Sequence, residues 1–171
     1  APRDFSQRDA DLQRFYEGVR PVLPERAVSI LGNVVTLSNL TNDLDDRLAR
    51  ALVDDLGVTD DITPQQYAAG YRICDNYDDR LRQIRLIGDI GGGIDRLVQI
   101  PFIGIALRLA HAPATLAGWD DLQHFLERGF GAFKHMKGAG EFLAIIDRRE
   151  TAILDRIFAG EADPFALAAG S

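Results

Sequence analysis

The stretch Pro24–Gly57, PERAVSILGNVVTLSNLTNDLDDRLARALVDDLG, decides the class of the fold. Its proline stands at the first helical position, where a missing N–H costs nothing. Ile30, Val34, Leu37, Leu44, Leu48 and Leu52 then make an apolar stripe, and Leu56-Gly57 supplies a stop. One helix over residues 24–56 is predicted, roughly 45–50 Å long at about 1.5 Å per residue, and a helix of that length serves as scaffold. Asp43/Arg47 and Asp46/Arg50 pair at i,i+4 on its outer face.

Helical signals continue on both sides. Upstream, Ser6-Gln7-Arg8-Asp9 reads as a cap, followed by Leu12, Phe15, Tyr16 and Val19 on one face up to Pro21. Downstream, Thr63-Pro64-Gln65-Gln66 combines an N-cap, a proline at N1 and a capping-box glutamine, with Ile62 and Tyr67 placed for a hydrophobic staple. Tyr67, Tyr71, Cys74, Leu81 and Ile84 form the stripe of the helix that begins there. From Leu86 onward the apolar positions Leu86, Ile90, Ile94 and Leu97 move to nearly the opposite face. A later helix starts at Asp120-Asp121 and carries Leu122, Phe125, Leu126, Phe130, Phe133 and Met136 up to Gly138. A last one carries Phe142, Ile146, Ile153, Leu154 and Ile157 up to Gly160. No segment alternates as a strand does, and no internal repeat is present. The expectation is therefore all-α: a single-domain helical bundle of five to seven helices over residues 1–171, with 161–171 as a short tail.

Composition narrows the function classes. The 171 residues are 46% hydrophobic, ample for a core, and the formal net charge of −7 argues against DNA, RNA and anionic membrane surfaces as partners. The lone Cys74 excludes an internal disulfide and any multi-thiolate metal site. No apolar run reaches the roughly 20 residues of a membrane span. The chain begins at Ala1 rather than Met, so we expect sequence upstream of it, and a cytoplasmic location.

Motifs of chemistry are scarce. GDIGGGIDR, residues 88–96, groups Gly88, Gly91, Gly92 and Gly93, but a helical segment precedes it where a dinucleotide fingerprint needs a strand. Ile94-Asp95 follows where a P-loop has Lys-Ser/Thr, and Asp95 would repel a phosphate. The glycines read as a kink or as a close-packing site for a neighbouring helix, with Gly91 and Gly92 as the contact positions. His124 and His135 lie about three turns apart on one helix, roughly 16 Å, too far to share a metal. Asp121, His124 and Glu127 project away from the apolar stripe and read as a solvated face. The clusters Asp43/Asp45/Asp46, Asp54/Asp55, Asp60/Asp61 and Asp75/Asp78/Asp79 read mostly as surface charge alternating with arginine. Neither Ser29 nor Ser38 sits in a nucleophile elbow, and Cys74 reads as an inert buried thiol.

One segment is unusual. Ile100-Pro101-Phe102-Ile103-Gly104-Ile105-Ala106-Leu107-Arg108-Leu109-Ala110 is apolar all round except for Arg108, the pattern of a central, fully surrounded helix. Alternatively it forms a docking surface, or the wall of a pocket for an apolar ligand. In the pocket reading Tyr71, Phe102 and Phe133 line the cavity and Arg108 and His111 form its polar end.

The opening Pro2-Arg3-Asp4-Phe5-Ser6-Gln7-Arg8-Asp9, with Phe125-Leu126-Glu127-Arg128-Gly129-Phe130, Glu141-Phe142-Leu143 and Arg149-Glu150, resembles an uncharacterised proteobacterial family. That family is named for a Phe-Phe-Leu-Glu-Glu-Leu-Tyr motif, which would lie before Ala1. The resemblance runs the length of the chain and implies a bacterial, helical protein. Two functions are carried forward: a non-catalytic protein acting through contacts with another protein or itself, and a helical pocket for a lipid, quinone or tetrapyrrole. No resident cofactor or metal is expected, and an enzyme ranks third because no acid/base, nucleophile or metal constellation is present.

Overall fold

A computed structural model describes residues 25–100, 102–109, 120–136 and 138–166. These form α1 (Glu25–Arg50), a π-helical turn (Ala51–Asp55), α2 (Pro64–Cys74), α3 (Tyr77–Val98), α4 (Ile103–Leu109), α5 (Asp120–Met136) and α6 (Gly140–Ala159). No strand occurs among the described residues, and the fold is all-α. The helix foreseen between Ser6 and Pro21, together with Pro101, His111 and residues 167–171 of the C-terminal tail, lies outside the described residues.

The scaffold helix runs over residues 25–55, close to the span its stripe implies, and changes character only in its last turn. α-Helical geometry stops at Arg50, and Leu56 donates to the Ala51 carbonyl at 3.1 Å in an i→i+5 bond. The widened turn keeps Ala51 and Leu52 buried before Gly57 reverses the chain at φ 62°. Gly70 of α2 sits against this turn. A Cβ there would lie 2.8 Å from Leu48 Cδ1, so the bare backbone lets α2 close onto α1.

The cap of α2 forms as its sequence predicts. Thr63 accepts from the Gln66 amide, and the Gln66 side chain accepts from the Thr63 amide at 2.9 Å. The helix does not run on toward Ile84, however. Asp75 adopts the left-handed conformation at φ 47°, and α3 begins two residues later. Periodicity hid this break because Tyr67, Tyr71, Cys74, Leu81 and Ile84 stay nearly in register across it. The signal was the dipeptide Asp75-Asn76, residues that tolerate left-handed geometry best after glycine.

α3 holds the central place that the sequence suggested for residues 100–110. It packs antiparallel against α1, where Gly93 meets Ile30 and Arg80 meets the Leu44 carbonyl. It packs antiparallel against α6, where Gly91 meets Leu143 and Tyr77 meets Asp155. It also touches α4 and α5. The change of stripe at the glycines follows from this, since one helix must present apolar surface to neighbours on different sides. The segment foreseen as fully enclosed holds a seven-residue helix, with Phe102 just before it 76% and Ile105 within it 47% exposed. Gly104 lies against the Phe130 ring of α5.

The glycine run is an uninterrupted part of α3. A Cβ on Gly91 would come within 2.5 Å of Leu143 Cδ2, and one on Gly93 within 2.8 Å of Ile30 Cγ1. Gly92, read as a contact position, meets only Arg96 Nη1 at 3.5 Å, and nothing lies within 4 Å of a Cβ at Gly88. Close packing therefore explains Gly91 and Gly93 and leaves the other two outside it. Asp95, the residue unsuited to a phosphate, accepts from the Ala139 amide at 3.0 Å and secures the start of α6.

Candidate functional site

Arg80 is 5% exposed, although its sequence neighbourhood of Asp78, Asp79 and Arg82 reads as solvated. Its Nη2 donates to the Leu44 carbonyl at 3.1 Å, and its Nη1 to Gln83 Oε1 at 3.1 Å. Asp45 Oδ1 lies 3.5 Å from Nη1, and the guanidinium stands 4.4 Å above the Tyr71 ring. Gln83 extends the network by donating to Thr41 at 2.7 Å, and the Tyr67 and Tyr71 hydroxyls are 3.2 Å apart. One arginine thus ties α1, α2 and α3 together.

The network is incomplete in one spot. Arg80 Nε and both amide atoms of Asn76 have no hydrogen-bond partner among the described residues, and Asn76 is only 6% exposed. A buried amide left so costs about 1–3 kcal/mol. Burial, then the hydrogen bond with Tyr67, push the Tyr71 phenol far above its ordinary range, with Arg80 opposing them. Burial likewise raises the Cys74 thiol, which disfavours the thiolate a nucleophile needs.

Two of the grooves among the described residues are set out by their lining. The larger, about 430 Å³, lies between α1 and α3 and is lined by Arg26, Ser29, Asn33, Asp89 and Arg96 around Ile30 and Leu97. The smaller, about 280 Å³, is lined by Ile62, Thr63, Pro64, Tyr67 and Phe165. Neither is lined by Arg80 or Tyr71.

The residues singled out from sequence fall in separate places. Tyr71 is in α2, stacked on Arg80, and among the described residues α2 makes no contact with α4 or α5. Phe102 and Arg108 are exposed at either end of the α4 segment, Phe133 is half-buried on α5, and α4 packs on α5. His111 is outside the described residues. Phe102, Arg108 and Phe133 therefore share one end of the molecule, and Tyr71 stands apart. Sequence reasoning missed Arg80 and Asn76, because a helix-surface charge and a buried one carry the same letters.

A family model described as Domain of unknown function (DUF8198) matches residues 1–164. The chain belongs to that family. No curated protein and no solved structure matches it. Chemistry must therefore be read from the residues themselves. Among the described residues of this DUF8198 member, no group of three or more His, Cys, Asp or Glu side chains could hold a metal ion, and no helix is long and apolar enough to cross a membrane. His135 bonds the Gly131 carbonyl of its own helix at 2.7 Å, and His124 is exposed on the same helix.

Proposed function

We propose that this chain is a non-catalytic bacterial protein, one helical domain over its whole length and cytoplasmic, that acts through contacts with a second copy of itself or another protein. The observation that carries the reading is the exposure of Phe102 and Ile105, two large apolar side chains close together on one short helical segment. Met136, at the end of the α5 helix on which α4 packs, is exposed as well. Side chains of this size grouped in water favour association, at about 25 cal/mol per Å² covered. The bacterial origin rests on the likeness to the family named for the Phe-Phe-Leu-Glu-Glu-Leu-Tyr motif.

Sedimentation velocity over a range of concentrations tests self-association. The wild type should gain mass as concentration rises, and Phe102→Ser with Ile105→Ser should remain a monomer throughout. Identical behaviour of the two proteins would remove this face from the proposal. The second reading, an apolar small molecule, draws support from the groove at Ile62, Pro64, Tyr67 and Phe165, where the Tyr67 and Phe165 rings lie 6.2 Å apart. Native mass spectrometry of the purified protein should then show a retained apolar molecule, and Tyr67→Ala should lose it.

A further inference from the structure

The elbow between α2 and α3 combines a left-handed Asp75 with the buried, unpartnered side-chain amide of Asn76, and it lies where the sequence reads as continuous helix. Only Asp75 and Asn76 separate the two helices. Asp75 is the one non-glycine residue with positive φ among the described residues. Asn76 is buried with its whole amide unpartnered, and at the N-cap position its side chain caps nothing. Both features are specific to the bent form.

If α2 and α3 ran on as one straight helix, Asp75 would take ordinary right-handed geometry. At 100° per residue Asn76 would then stand half a revolution from Tyr67, opposite the stripe of Tyr67, Tyr71 and Cys74, with its amide free to meet water. The apolar stripe would lose nothing, because its members stay in register across the break. Straightening carries α1 and α2 away from α3 and α6, and a lone chain would then expose the surfaces around Leu44, Leu48 and Ile90.

We infer that the elbow is a hinge for exchange between two copies of this chain, in which α1 and α2 of one copy pack on α3 and α6 of the other. Every contact that crosses the hinge is remade between copies: Arg80 with the Leu44 carbonyl, Gly93 with Ile30, and Arg72 with the Ile157 carbonyl. Only the elbow changes, from bent and strained to straight. Short strained connections are where such exchange is expected. The partner is a second copy because only the same chain offers these complementary faces. This exchange is separate from the Phe102–Ile105 face and does not depend on it.

The test is refolding from denaturant at high protein concentration, followed by size-exclusion chromatography with light scattering. The wild type should yield a dimer. Asp75→Gly, which relaxes the bent form, should lower the dimer fraction about tenfold, and Asp75→Ala, which favours the straight helix, should raise it by a similar factor. In a Cys74→Ser background, Ile30→Cys with Gly93→Cys places a disulfide across the α1–α3 contact. Oxidation of the isolated dimer should link two chains covalently, and oxidation of the isolated monomer should link none. A wild type that refolds only to monomer overturns the inference. So does a dimer insensitive to residue 75, or one whose disulfide forms within each chain, the result expected of two closed copies docked through Phe102 and Ile105. If Asp75→Ala fails to fold, Asp75→Gly and the disulfide still decide.

Discussion

Arg80 and Asn76, the residue that precedes α3, are one turn apart and both are almost fully buried, yet they contribute with opposite sign. Arg80→Ala should destabilise by about 2–3 kcal/mol, through lost stem packing and the lost hydrogen bonds to the Leu44 carbonyl and Gln83. The loss stays in that range because Asp45, its carboxylate neighbour, reaches solvent and is not left as a buried charge. Asn76→Leu removes an amide that bonds to nothing and should be neutral or stabilising, by up to about 1 kcal/mol. Urea unfolding of both variants checks the pair, and a large loss from Asn76→Leu would mean that the amide has a partner. Tyr71 gives a pH signature. Its folded pKa lies above the ordinary value of 10.0, so folded and unfolded chains are both protonated below about pH 10 and the contribution is constant there. Above that pH the unfolded chain loses its proton first, and stability falls. Tyr77, raised by its hydrogen bond to Asp155, adds to the same trend. Tyr71→Phe should lose less stability than the wild type between about pH 9 and pH 11. Equal losses would show that the Tyr71 phenol is not shielded.

At the scale of elements, the glycines of α3 separate by what faces them. Gly93→Ala drives a methyl toward Ile30, whose β-branched side chain has little rotamer freedom in a helix, and should cost about 1–2 kcal/mol. Gly88→Ala meets nothing and should gain about 0.5–1 kcal/mol from helix propensity alone. Thermal unfolding of the two variants should show shifts of opposite sign. Two shifts in the same direction would sink the close-packing account. Sequence carried these elements unevenly. Thr63-Pro64-Gln65-Gln66 was legible because a cap is a local contest between a side chain and a few amides. The stop at Gly160, left-handed at φ 76°, was legible for the same reason. The break at Asp75 was not, because an apolar stripe that keeps register across a turn looks like one helix. Nor were the partners of each glycine, which are set by helices far away in the chain.

For the molecule as a whole, the all-α class followed from the stripes alone, and the ranking of helices did not. The apolar segment at residues 100–110 looked central by composition, but the helix with most neighbours among the described residues is α3, whose charges, Arg80 apart, occupy the directions left uncovered. That Tyr71 stands apart from Phe102, Arg108 and Phe133 could not be read from sequence, since which helices meet is a property of packing and not of spacing. The C-terminus shows the same effect. Residues 161–171 read as a tail, yet Pro164 is fully buried, Phe165 lies beside Tyr67 and Arg156 donates to the Ala166 carbonyl at 2.6 Å. Truncation after Ala162 should therefore cost about 2 kcal/mol, from the apolar surface that Pro164 and Phe165 cover. A truncated chain with an unchanged unfolding midpoint would return that segment to the status of a tail.

The connection from Gly57 to Thr63 is almost wholly exposed and contains no lysine or arginine, but it offers Asp60 and Asp61 side by side. Trypsin should therefore leave it whole, while a protease that cleaves before aspartate should cut it under native conditions. The two pieces should not separate, because α1 and α3 pack along their lengths across the cut. A nicked protein that migrates as one particle on a native gel and as two bands after denaturation is the expected result. The same loop is then the natural place to open the chain in making two-piece or permuted versions that still assemble.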